Sequence, residues 1–188
     1  MRTEETFVVA RAITDEYIIQ NPIPPIEITK LLPIVAKHSK IDLKIIMASW
    51  RAISVYGYLR RYKDRAEVIY SAELNDCWAR FVVCKELIHV LIDIEDDYTT
   101  DPSELVRQLT TMERNPTNDV HSEYNAIYGA IELLLPVPYR TRAREMSTIG
   151  KSDYDVAYHF KIPEKIISFI LSDAFNVYEE KVKLIKRG

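Results

Sequence analysis

Between Asn75 and Ile92 the apolar side chains recur at helical spacing, and no other stretch limits so strongly what this chain can become. Trp78, Phe81, Val82, Ile88 and Ile92 share one stripe of a helix that Asn75 or Asp76 is suited to cap. Lys85 and His89 fall in the same stripe, four residues apart and so on one face. A helix with such a stripe buries it, which carries these two polar groups towards an interior where unpaired charge is costly. A second stretch repeats the arrangement. Over residues 119–135, Ile127, Ala130, Ile131 and Leu134 form a stripe whose one charged member is Glu123. Asn118 caps this helix, and Pro136 and Pro138 stop it.

Elsewhere the pattern is mixed. Residues 1–25 read as an N-terminal arm: apolar alternation at Phe7 and Val9, room for a short helix, then the extended Asn21-Pro22-Ile23-Pro24-Pro25. A helix is expected from about Glu27 to His38, kinked or ended by Pro33. Short β-rich runs follow at Leu43–Met47, Ile53–Leu59 and Glu67–Tyr70, with a basic turn at Arg60–Asp64, which suggests a small antiparallel sheet. The acidic run Glu95-Asp96-Asp97, a mixed segment from Pro102 to Glu113 and the loop Asn115–Asn118 separate the two striped helices. From Ser152 a helix near 153–160, a turn at Lys161-Ile162-Pro163 and a further helix have a helix–turn–helix look. That second helix has no Arg, Asn or Gln with which to read bases, so it is taken as a packing unit.

A chain of 188 residues suffices for one domain with its own core, and 47% hydrophobic against 28% charged residues is ordinary for a globular protein. The net charge of −3 gives no global reason to expect nucleic acid or membrane as a partner. The charge is uneven: residues 27–72 hold nine Lys/Arg against four Asp/Glu, while residues 73–123 hold four against twelve. The acidic part carries the candidate site: Lys85, Glu86, His89 and Glu123 all lie within it. Met1–Thr6 is polar with no apolar run behind it, and the apolar stretches 81–92 and 131–139 are short or interrupted by charge, so neither a leader nor a span is expected. Cys77 and Cys84, seven residues apart on one helix, stand about 10 Å from each other, too far for a disulfide. A reduced, cytoplasmic protein is the expectation.

Cys84-Lys85-Glu86-Leu87-Ile88-His89 carries the most chemistry. In H-E-x-x-H, two histidines one turn apart bind one zinc ion and the glutamate between them activates the bound water. Here the glutamate and second histidine are present and Lys85 stands first. Taken singly, His89 is a hydrogen-bonded core histidine, Glu86 a surface carboxylate and Glu123 a charge favouring a helix start.

The surroundings tie them together. The run Arg80-Phe81-Val82-Val83-Cys84-Lys85-Glu86-Leu87-Ile88-His89 resembles the R-F-x-x-A-H-E-x-x-H segment of the ImmA/IrrE family of metallo-endopeptidases. Glu123-Tyr124-Asn125-Ala126 followed by Glu132-Leu133-Leu134-Leu135-Pro136 is similar to that family's E-x-x-A and its apolar helix ending L-L-M-P. Val156–Pro163 is similar to its L-A-x-x-F-x-V-S segment. The resemblance covers about residues 26–172 and leaves 173–188 as a basic tail.

The resemblance implies an α+β, zincin-like fold with a small antiparallel sheet packed on a helical bundle. It implies His89 and Glu123 as ancestral metal ligands and Glu86 as the ancestral general base. Lys85 breaks the pattern, because an ammonium has no lone pair to give a metal. One imidazole and one carboxylate fall short of the three protein ligands of a catalytic zinc site. His121 is a rescue ligand only if a side chain two positions from Glu123 can turn to the same face. Cys84 reads as buried filler, and His38 and His159 as structural or exposed. No cofactor is therefore expected, with zinc the ion if the site does function. The expected function is that of a degenerate peptidase binding a protein partner, since the family's active members act on transcriptional repressors and stress regulators, often encoded by phages and mobile elements. An active zinc endopeptidase and a DNA-binding regulator are the alternatives. On the degenerate reading Lys85 takes the place of the metal, pairing with Glu123 and approaching Glu86, unless it snorkels to solvent.

Overall fold

The computed structural model describes residues 3–49, 56–92, 98–100 and 118–176. It is a mixed α+β chain in the order α1 (Thr3–Gln20), α2 (Ile28–Ser39), β1 (Asp42–Ala48), β2 (Gly57–Arg61), β3 (Arg65–Ser71), α3 (Asp76–Ile92), β4 (Tyr98–Thr100), α4 (Asn118–Leu134), α5 (Val137–Thr148), α6 (Asp153–Phe160) and α7 (Glu164–Ile170).

The sheet is not the purely antiparallel one that its short strands suggest. Its order is β1-β3-β2-β4, with β2 antiparallel to both β3 and β4 and β1 parallel to β3. The hairpin is locally encoded, closed by Tyr62 N–H donating to Arg65 O at 2.8 Å. β1 lies on the side of β3 away from β2 and pairs with a strand that is not next to it in the chain, so no hairpin turn sets its direction. Leu59 and Val68 are paired on one face, Leu43 and Ala66 likewise, and Ile45 lies beside Val68. Leu59, Ala66 and Val68 are buried, and Leu43 and Ile45 pack against the core. α3 packs on β2 and β3, and α4 packs on α3.

The N-terminal arm expected over residues 1–25 is largely an 18-residue helix, α1, that packs on α4. Phe7, Ala10, Ile13 and Tyr17 recur at helical spacing and are buried, so the residues before the prolines complete the core. The turn after α1 is tied down as well: the Tyr17 hydroxyl accepts from Glu27 N–H at 2.8 Å, and Tyr139 Oη donates to Asn21 O at 3.3 Å. Pro33 does not end α2, which runs on to Ser39. The ring lies on the exposed face, so the helix loses one hydrogen bond without a clash against its neighbours. Pro136 and Pro138 end α4, but a new helix starts at Val137 with Pro138 in its first turn, where the missing N–H costs nothing. The tail begins later than residue 173, because Phe175 is buried against Phe169 and Tyr128. The basic stretch Lys181–Arg187, the acidic run Glu95–Asp97 and the segment Pro102–Glu113 lie outside the described residues.

Two glycines set the spacing of the layers. A Cβ on Gly129 of α4 would lie 2.8–2.9 Å from three side-chain carbons of Ile88, so only glycine lets α3 and α4 approach so closely there. A Cβ on Gly57 would lie 2.3 Å from Val82 and 3.8 Å from Glu86 Oε1, which brings the start of β2 up against α3. Behind the crossing is a buried charge cluster. Arg140 of α5 donates to Glu132 Oε1 at 2.9 Å and to Leu135 O at 2.7 Å, and Arg11 of α1 reaches the same carboxylate at 3.3 Å.

Candidate functional site

The crossing of α3 on α4 brings Lys85, Glu86, His89 and Glu123 together. Lys85 and His89 share a face of α3 because they are one turn apart, and Glu123 faces them from the first half of α4. The Lys85 ammonium lies 2.7 Å from Glu123 Oε2, 3.1 Å from His89 Nε2 and 3.6 Å from Glu86 Oε1. His89 Nε2 is in turn 3.2 Å from Glu123 Oε1. The side chains of Lys85, Glu86 and His89 are fully buried, and only Glu123 has an edge in solvent, at 19%. Lys85 does not snorkel.

Burial by itself would raise the Glu123 carboxyl. The hydrogen bond to His89 and the charge of Lys85 outweigh it and bring the group from its ordinary 4.5 down to about 2. Glu123 is thus a carboxylate at neutral pH. One ring nitrogen cannot both accept from Lys85 and donate to Glu123, so the imidazole tautomer chooses one of the two contacts. In either tautomer a positive group is held between an imidazole and a carboxylate.

Do these residues fit a zinc ion? Ligand atoms about 2.0–2.2 Å from a tetrahedral zinc lie roughly 3.3–3.6 Å from each other. His89 Nε2 and Glu123 Oε1, at 3.2 Å, are close to that spacing. The fit fails at the next corner. Lys85 Nζ stands within 3.1 Å of both ligand atoms' groups and is a donor, so it brings hydrogen atoms and positive charge where a metal needs a lone pair. Among the described residues no three His, Cys, Asp or Glu side chains are arranged to hold a metal ion.

The other candidates fall elsewhere. His121 lies on α4, but its side chain is outside the described residues. Cys84 is buried and its thiol is pushed up to about 12, so it offers no thiolate; Cys77, also a free thiol, is half-buried. His38 pairs with Glu16 at 3.3 Å, and the His159 ring stands edge-on to Phe160. Arg80, the first residue of the motif, is a brace: it donates to Ile26 O and, at 3.1 Å, to Lys161 O.

Sequence reasoning missed Arg61, whose guanidinium donates to Val90 O at 2.6 Å and His89 O at 3.4 Å and so closes the C-terminal end of α3 beside the site. It also missed Gly57 and Gly129. An isolated glycine inside a strand or helix pattern signals close approach, and with four glycines in the chain both could have been singled out.

At the other end of α3 a groove of about 810 Å³ opens between Trp78 and the α6–α7 pair, walled by Tyr154, Tyr158, Ile162 and Pro163. Tyr154 and Tyr158, one turn apart, are 63% and 76% exposed. No helix among the described residues is long and apolar enough to cross a membrane. No family model matches the sequence, and no curated protein matches it.

Proposed function

We propose that this chain is a degenerate zincin-like relative of the ImmA/IrrE peptidases that acts in the cytoplasm by binding a protein partner, such as a transcriptional regulator, without cutting it. The observation that carries the reading is the buried Lys85 ammonium, 2.7 Å from Glu123 and 3.1 Å from His89. Peptide hydrolysis of the kind the resemblance implies needs a metal that lowers the pKa of its bound water, with a carboxylate beside it to take the proton. Glu86 is the residue that the resemblance makes the base, and it lies 3.6 Å from the Lys85 ammonium. The cluster joins the two helices through ion pairs, and on this reading it activates no water.

Binding is supported by the exposed aromatic wall of Tyr154 and Tyr158 beside Trp78, since exposed aromatic side chains are enriched in protein interfaces. The test is the metal content and proteolytic activity of protein purified without added metal. Sub-stoichiometric zinc and no chelator-sensitive cleavage of an unstructured protein such as casein are expected. One zinc per chain with chelator-sensitive cleavage refutes the proposal and returns the active endopeptidase reading.

A further inference from the structure

We infer that Lys85 is a resident cation: its ammonium occupies the position around which His89 and Glu123 would gather a metal, and it makes the docking of α3 on α4 independent of any metal. The inference rests on the degenerate-peptidase reading for the site's origin, but its physical content stands on the geometry alone.

Three observations carry it. First, the acceptor set belongs to a cation. One imidazole nitrogen and two carboxylates converge on Nζ at 3.1, 2.7 and 3.6 Å. Two carboxylates on packed helices, one of them fully buried, would leave uncompensated negative charge in a low-dielectric place if nothing positive stood between them. Second, the cation comes from the chain itself. Lysine suits this position because its four-carbon stem lets an ammonium stand several ångströms from its own helix axis. The guanidinium of arginine is a larger planar fork suited to bidentate pairing, whereas the lysine ammonium is a compact point charge, nearer to an ion in shape. Third, the contact joins two elements. Lys85–Glu123 is a bond between α3 and α4, on the same crossing as the close approach of Gly129 to Ile88. A divalent metal would bridge those helices through His89 and Glu123, and the ammonium bridges them through Glu123 and His89.

The cost of this arrangement is occupancy. Nζ and a metal cannot share the space between His89 Nε2 and Glu123, so the parent protein is closed to divalent cations although it keeps two groups that would bind one.

The experiment compares melting temperatures in metal-free buffer, and again with cobalt(II) added, for the parent, Lys85→Met, Lys85→Met with Glu123→Gln, and Lys85→His. The parent should melt at the same temperature with and without cobalt. Lys85→Met keeps length and apolar packing but removes the cation from between the carboxylates, and should melt lower by roughly 6–20 °C. Adding Glu123→Gln to it removes one of the charges left without its cation and should recover part of that loss, which a simple packing defect would not do. Lys85→His replaces the donor with a lone pair, and should take up one cobalt per chain with the visible absorption of a tetrahedral ion. Should Lys85→Met not fold, the double variant is the comparison: its folding supports the inference and its failure to fold overturns it. A Lys85→Met protein as stable as the parent also overturns it, as does a parent stabilised by cobalt. The first of these leaves the non-catalytic reading intact. Chelator-sensitive proteolysis by the parent, by contrast, would defeat that reading whatever the melting temperatures show.

Discussion

Gly129→Ala tests whether the site depends on how closely α3 and α4 cross. In most helices this substitution stabilises, by about 1 kcal/mol, because alanine loses less backbone freedom on folding than glycine. Here the added methyl would lie 2.8 Å from Cδ1 and Cγ1 of Ile88 and 2.9 Å from its Cγ2. Three contacts to one residue cannot all be relieved by a rotamer change, and Ile88 is fully buried with no solvent to move into. Overpacking of this kind costs about 1–3 kcal/mol. The difference is a net loss of about 0–2 kcal/mol, a fall in melting temperature of up to roughly 8 °C for a chain of this size. Ile88→Ala taken alone creates a cavity and should cost about 2–5 kcal/mol. Combined with Gly129→Ala it should cost less than the sum, because the new methyl fills part of the space that the isoleucine vacates. Urea unfolding of the parent, both single variants and the double variant gives the coupling directly. The reasoning fails if Gly129→Ala is more stable than the parent, or if the two changes are additive.

Two further predictions concern charge. Because the folded Glu123 carboxyl titrates at about 2 in place of 4.5, the protein binds fewer protons folded than unfolded across that interval. Its contribution to stability is complete above about pH 4.5 and is lost as pH falls towards 2, so a Glu123→Gln variant should unfold with a shallower acid dependence in that window; parallel acid curves for parent and variant would contradict this. The Arg140 guanidinium is fully buried on Glu132, so Arg140→Met should destabilise by about 3–5 kcal/mol by leaving that carboxylate, among the described residues, with Arg11 as its one cation. A denaturant midpoint within error of the parent would show that Arg11 alone suffices.

How much of this was legible in the sequence depends on how local each cause is. α3 is found at the bounds its stripe and cap indicate, Asp76–Ile92, and α6 at the expected Asp153–Phe160, because the causes lie within or beside each element. Ser152 and Asp155 satisfy each other's backbone groups in a capping box, which a single short stretch of sequence can specify. The direction of β1 was not legible, because a parallel pair is joined by no turn and its register is fixed by strands found later in the chain. α1 was read as an arm because Phe7 and Val9 alternate, while the residues that bury it, Phe7, Ala10, Ile13 and Tyr17, follow the helical period over a longer window.

The site shows the same division, and it explains why a lysine could be read there at all. Position along a helix places Lys85 and His89 on one face, so their meeting follows from the sequence alone. That Glu123 would be the group opposite them is a tertiary fact, suggested by its being the one charge in an apolar stripe and by the family resemblance. Burying a lone charge in such a stripe is costly, whereas burying opposite charges that meet is much less so. Two stripes, each interrupted by polar groups of complementary sign, therefore have one inexpensive way to pack, with the interruptions in register. The observed 2.7 Å between Lys85 and Glu123 is that solution. A histidine at residue 85 would satisfy the same logic only with a metal supplied from outside, whereas a lysine satisfies it within the chain. The register of α3 on α4 thus depends on charge balance at this point, and the ability to bind a metal is separable from it by one residue.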